Sequence, residues 1–232
     1  MNQWLDTSLT ADQFGTAILQ TFNMVSISFV LGSILGTALG VLLLLTRQGG
    51  VWPKPILYNL LNIIINIIRS LPFIILLICV LPIASLAIHT SIGTKAMIIP
   101  LIIFVSPYIA RLIENSLLSV PAGIIEAAQS MGATNFQIIR YFILPEAMPS
   151  ILLALTTALI GLIDATAMSG TVGGGGIGDL AVNYGYQRFD YVIMIVTVVV
   201  LVLIVQIIQT LGNWLAAKAK KINFLFIKNG LF

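Results

Sequence analysis

The chain has 232 residues, of which 59% are hydrophobic and 8% charged, with a formal charge of +3 and a mean hydropathy of +1.07. A soluble domain carries about a quarter charged residues, so a soluble globular protein is excluded. The small net charge gives no sign of nucleic-acid binding. One cysteine, Cys79, excludes a disulfide framework; it sits in an apolar run and reads as packing filler. No Lys or Arg precedes Arg47, whereas a cleavable signal peptide needs a basic start. The polar opening, with Asp6 and Asp12, should therefore lead into a stretch that stays in the membrane.

A hydrocarbon core of about 30 Å takes roughly 20 helical residues. Within it the backbone must satisfy its own hydrogen bonds. Continuous rather than alternating apolar runs select helices, so the fold class is an all-α membrane protein. Five spans are predicted, near 17–45, within 56–88, and near 96–113, 151–170 and 191–211. They give a membrane domain over 13–214 and a basic, apolar cytoplasmic tail over 215–232. Five spans put the termini on opposite sides. Arg47, Lys54, Arg111, Arg140, Lys218, Lys220, Lys221 and Lys228 then share the side of the C-terminus, against Lys95 and Arg188 on the other. The positive-inside bias predicts an outside N-terminus, a cytoplasmic C-terminus and a plasma (inner) membrane location.

The first span carries Gly32, Gly36 and Gly40, which share one helix face and predict a close-packing seam, within the subunit or across a dimer. The second region is too long for one upright span. Asn59, Asn62, Asn66 and Arg69 form a polar stripe in its first half. The simpler reading is an interfacial helix followed by a span from about Ser70; the other is a tilted span whose stripe lines a pathway. Pro72 should bend or restart the helix. Pro100 and Pro107 each remove a helix hydrogen bond from the third span and favour bending.

Residues 114–148 are too polar and broken to span. Ser119 can cap a first helix with Pro121 in its opening turn. That helix carries Glu126, Ala127 and Ala128 and should end near Gly132, before Ala133. Thr134 with Gln137 makes a capping-box pattern for a second helix, which Pro145 should stop after Leu144. The small Ala127 and Ala128 would let a partner groove approach. On the residues alone, docking onto a partner and lying on the membrane surface are equally supported.

The segment resembles the cytoplasmic loop of permease subunits in ATP-binding-cassette importers. That pattern is Glu-Ala-Ala, three residues, Gly, nine residues, Ile, one residue, Leu-Pro. It reads here Glu126-Ala127-Ala128, Gly132, Leu144-Pro145, with Phe142 at the Ile position. The resemblance implies a type I importer permease fold, with the loop acting as a coupling helix in a groove of a separate cytoplasmic ATPase. Glu126 would contact that ATPase and Gly132 would permit the bend. It implies two ATPase copies, with ATP and Mg bound there, and no cofactor or catalysis on this chain.

Arg69-Ser70-Leu71-Pro72-Phe73 and Thr90-Ser91-Ile92-Gly93 resemble motifs of amino-acid importer permeases. Ala167-Met168-Ser169-Gly170 and the glycines after it resemble methionine importer permeases. These are five-span homodimers served by a methionine-binding protein outside. The resemblance implies alternating access driven by the ATPase, import of methionine or a related small amino acid, and a gate at Met168 beside Ser169, where a flexible thioether could seal and reopen. The alternative for Met168 is core packing. The run from Gly173 to Gly178 should form tight turns. It lacks the Lys-Ser/Thr ending of a phosphate loop. Two readings remain for it, a turn that contacts the binding protein or lets span four move, and a simple tight loop.

Asp164, inside the fourth span, stands where methionine permeases carry a small neutral residue. A carboxylate there is costly and so a candidate functional site. It could meet a substrate amino group, a neighbouring helix or water. His89 is the lone histidine, and no metal-ligand spacing or nucleophile–base pair is present. The competing function is a stand-alone channel or proton-coupled carrier that uses Asp164 or Arg69 as a switching charge.

Overall fold

The computed structural model describes residues 9–50 and 52–228, with side chains through 221. Helix α1, Ala11–Thr46, starts at a capping box in which Thr10 accepts from the Gln13 backbone and the Gln13 side chain accepts from the Thr10 backbone. Its buried face, Thr21, Met24, Ser28, Gly32, Gly36, Gly40 and Leu43, follows helical spacing. That face lies against α4, Thr94–Leu118. A Cβ on Gly36 would stand 2.7 Å from the Ser106 carbonyl oxygen, and one on Gly40 would stand 2.7 Å from that of Ala110. Only hydrogen fits, so the backbones touch. The glycine seam is therefore internal to the subunit.

Contacts along the seam pair Gly32 with Val105, Gly36 with Ile109 and Gly40 with Ile113. Both numbers rise together, so α1 and α4 run parallel. The chain between them must return to its starting side, and that settles the role of the second region. It forms α2, Pro55–Ser70, and α3, Phe73–Ile88, bent by 109° at a short break. The break has a local cause. A proline disfavours helical geometry in the residue before it, and Leu71 before Pro72 is extended at φ −82°, ψ 129°. At about 1.5 Å per residue, α3 spans roughly 24 Å, short of a hydrocarbon core. The bent pair thus makes a single crossing, and the protein has five.

Helix α4 is the centre of the bundle. Met97, Leu101, Val105, Ile109 and Ile113 are all essentially inaccessible. It runs unbroken through Pro100 and Pro107, both of them buried. Cys79, by contrast, lies on the outer side of α3 rather than in the core. The predicted packing role fails within the subunit, because the core face of α3 is taken by Phe73, Leu76, Leu77, Val80 and Ala84.

After α4 come α5, Ala122–Ser130, and a single turn, α6, Asn135–Gln137. A π-helical stretch, Ile138–Ile143, leads into α7, Leu144–Ser169. A short 3₁₀ turn, Gly170–Val172, and the four-residue α8, Ile177–Leu180, reverse the chain. A second π stretch, Ala181–Tyr186, precedes α9, Tyr191–Lys228. Gly212 of α9 packs on Thr156 of α7, and the reversal makes the two helices antiparallel. α9 continues without a break from the fifth span into the predicted tail. The side chains of Phe224–Ile227 lie outside the described residues.

Gly36→Leu tests the seam. Overpacking a tight contact costs about 1–3 kcal/mol, here against backbone that cannot rotate away. The thermal midpoint of the purified protein in detergent should fall by several degrees. Gly15→Leu, on the same helix with open space around it, should leave it unchanged.

Candidate functional site

The loop joining α4 to α7 differs from its sequence reading in three ways. Ser119 does not cap α5. It closes α4, where its N–H donates to the Asn115 carbonyl and its hydroxyl to the Ser116 carbonyl. Pro121 occupies the N-cap of α5, with no side-chain cap. Second, Pro145 does not stop the helix that begins after Thr134. The i→i+5 bonding of the π stretch, with the Leu144 N–H on the Ile139 carbonyl, widens the helix just before the proline. Pro145 enters where the ladder changes register, and an apolar helix continues from Asn135 to Val172. The helix that carries the fourth span is therefore continuous with the loop and begins before the predicted 151. Third, Ala128 is fully buried while Glu126 and Ala127 are exposed.

That third difference explains how α5 is held. Ala128 packs inward with Val120, Ile138 and Ile143, while Ile124 and Ile125 flank it. The opposite side presents Glu126, Ala127, Met131 and Phe136, the last two each 68% exposed. The turn between the short helices forms as its residues predict. Gly132 has φ +75° with nothing near its Cα side, so the backbone angle and not space calls for glycine. Thr134 and Gln137 form the expected capping box. Between α5 and the bundle lies a cleft of about 500 Å³ that includes Arg47, Leu117, Ile125 and Ile139.

Close by is a polar cluster that the sequence reading missed. Glu114 is only 2% exposed. Its Oε2 accepts from Arg111 Nη1 at 2.7 Å and its Oε1 from the Tyr58 hydroxyl at 3.3 Å. The other Arg111 nitrogen, Nη2, donates to the side-chain oxygens of Asn62 and Asn66. The polar stripe of α2 thus faces protein at these two positions: it clasps the last turns of α4. Asn59 and Arg69 stay exposed. Arg111 and Glu114 at i, i+3 beside a stripe of asparagines is the signal that could have found the cluster.

At the opposite end of the bundle, two segments singled out in the sequence meet. The Gly93 N–H donates to the Gly173 carbonyl. The Gly176 and Ile177 N–H groups donate to Gln20 Oε1 and Thr21 Oγ1 of α1, at 2.9 and 2.8 Å. Gly173, Gly175 and Gly176 have positive φ, as expected of tight turns. The run is knitted to α1 and α4, not a loose loop. Next to it Asp179 lines a cleft of about 290 Å³ with Asp12, Gln20 and Tyr184. Burial pushes its carboxyl up, partly offset by the hydrogen bond from Asn183.

The three pathway candidates on α7 do not share a surface. Ser169 is fully buried, its hydroxyl donating to the Thr166 carbonyl under the glycine turn. Asp164 and Met168, one turn apart, are open, and Met168 is 49% exposed. With Leu153 and Thr157 they form an uncovered stripe along α7. Among the described residues no group of three His, Cys, Asp or Glu could hold a metal ion.

Residues 30–221 match the family described as the inner membrane component of binding-protein-dependent transport systems. The chain belongs to this family. Similar members include the probable D-methionine transport system permease protein MetI of Vibrio cholerae, 48% identical over 93% of this chain and 95% of its own. The Escherichia coli K12 D-methionine permease protein MetI is 44% identical over 66% of this chain and 70% of its own. Among solved structures, one of inward-facing conformations of the MetNI methionine transporter aligns with a TM-score of 0.86 and 39% identity, over 92% of this chain and 99% of that one. A chain of an amino-acid ABC transporter, 20% identical at a TM-score of 0.75 over 89% of this chain and 94% of that one, shares the fold. The family membership makes this chain a membrane transport component of type I importer fold.

The clasp on α4 has a measurable consequence. Removing one partner of a buried ion pair costs about 3–5 kcal/mol, and losing one hydrogen bond to a charged group about 1.5–3 kcal/mol. Glu114→Ala should therefore lower the thermal midpoint more than Tyr58→Phe. Equal effects would show that the ion pair contributes no more than the phenol.

Proposed function

We propose that the chain is the permease subunit of an ATP-driven importer of methionine or a closely related amino acid. It works as a homodimer, with α5 of each copy seated in a groove of one of two ATPase subunits. The observation that carries the docking is the two-sided build of α5. Ala128 anchors it to the bundle, and Glu126, Ala127, Met131 and Phe136 stand clear. A helix meant to lie flat on a membrane would turn its apolar face to lipid and its charge to water. Here the buried face packs on protein, and a carboxylate shares the free face with apolar side chains. Support for the substrate class comes from the relatives named as D-methionine permeases, aligned over nearly the whole chain.

In this reading ATP and Mg reside on the ATPase. ATP closes the ATPase pair, draws the two coupling loops together and opens the permease outward, where a binding protein delivers its ligand; hydrolysis resets it. ATP shifts the population by binding one state more tightly than the other. Glu126, Ala127, Gly132, Ala133, Leu144 and Pro145 belong to the coupling unit, with Ala128 as its anchor. The Lys/Arg bias supports a cytoplasmic position for this end and an outside position for the glycine turns. Met168, open on α7, is the gate residue of the reading. α2 contributes a clasp to α4 and the bend at Pro72, so its polar stripe need not be interfacial.

Glu126→Lys should insert normally yet abolish most ATP-driven methionine uptake in proteoliposomes and weaken co-purification of the ATPase. Normal uptake by this variant would refute the docking. Uptake that needs only a proton gradient, with no ATPase present, would favour the carrier reading instead.

A further inference from the structure

The open stripe of α7 continues sideways onto α4 and α2. Tyr108 of α4 lies beside α7 at Gly161, its Cε1 3.7 Å from where a Cβ on that glycine would be. The Arg69 guanidinium sits over the same ring at 5.9 Å. Asp164 is three residues beyond Gly161 on α7, about 4.5 Å further along the axis. Arg69, Tyr108, Gly161 and Asp164 therefore border one surface, with a cation at one side and an anion at the other. A side chain at position 161 would fill the space beside the ring.

Neither charge is neutralised by an ion pair. Arg69 and Asp164 are exposed. Among the described residues neither forms an ion pair, and Asp164 has no side-chain hydrogen bond. The contrast with Glu114, in the same bundle and fully partnered, is direct. An ionisable group within a span is costly unless a partner meets it. Here two opposite ones lie on either side of the contact between Tyr108 and Gly161, and no ion pair joins them. An α-amino acid carries this complement: a planar carboxylate suited to a two-pronged guanidinium bond, and an ammonium suited to a carboxylate.

We infer that Arg69 and Asp164 form a subsite for a zwitterionic α-amino acid in the pathway. Arg69 takes the carboxylate, Asp164 takes the ammonium, and the Tyr108 ring lies between. The inference rests on the importer reading and adds a selectivity step after delivery from the binding protein.

The test uses the assembled permease–ATPase complex in proteoliposomes, with radiolabelled L-methionine against its 2-hydroxy analogue, which keeps the carboxylate and lacks the ammonium. Measurements are made with the binding protein at one saturating concentration, and its own affinity for each ligand is determined separately, so that selection by that protein can be set apart. Losing a charge-assisted contact is worth about ten- to a hundredfold in apparent affinity. Asp164→Asn should raise the apparent KM for methionine by about tenfold and leave that for the hydroxy analogue unchanged. Arg69→Ala should raise both, and Arg69→Lys should restore part of the loss. Unchanged KM values in Asp164→Asn, or equal loss for the two ligands, would overturn the subsite. Failure of the unaltered complex to couple ATP hydrolysis to uptake would instead count against the importer reading itself.

Discussion

The parallel contact of α1 with α4 is the constraint on which the rest of the structure depends. Three glycines a turn apart remove the side chains that would hold the two backbones apart. Once the two helices run the same way, the bent α2–α3 segment has to return the chain. That fixes the crossing count and places the α4–α7 loop and the glycine turns at opposite ends. The seam also buries the face of α4 that carries Val105, Ile109 and Ile113. α4 then has other faces left for α7, for the aromatic contacts of Phe104 with Phe73 and Tyr108, and for α2.

The two ends of the bundle are stabilised by different chemistry. At the loop end, apolar anchoring of Ala128 and a charged clasp on Glu114 secure the base from which α5 projects. At the other end, backbone N–H groups of the glycine turns find acceptors on α1. Positive-φ glycines make the turns possible, and Gln20 and Thr21 satisfy donors that would otherwise be left without partners in a poorly hydrated place. Between them Asp164 and Arg69 remain the exposed charges of the central surface.

Much of this was legible in the sequence because it rests on short-range rules. The spans follow from apolar run length. The Gly132 bend and the Thr134 capping box follow from φ preference and side-chain reach over three residues. The features that were not legible depend on tertiary choice. Ser119 and Pro121 both suit a helix start, and only the packing of α4 decided which one serves. Pro145 breaks a regular α-ladder but is tolerated after a π turn, which has no reliable residue signal. Ala127 and Ala128 are identical as letters, and the rotation of α5 alone distinguishes the open one from the anchored one. Cys79 likewise took an outer position because its neighbours filled the inner face. The Glu114 clasp joins residues 56 apart in the chain, beyond any local pattern.

The absence of a stop at Pro145 carries a mechanical consequence. From Asn135 to Val172 the chain forms 38 residues of nearly continuous helix, a rod of roughly 57 Å at about 1.5 Å per residue. A hydrogen-bonded rod resists stretching, so it passes motion on mainly as tilt. About 5° of tilt at one end of such a length displaces the other by roughly 5 Å, about the width of a methionine side chain. A helix ended at Pro145 would have put a joint in the lever and absorbed that motion. By letting the proline in, the π turn makes the loop and the Met168 end of α7 two ends of a single arm.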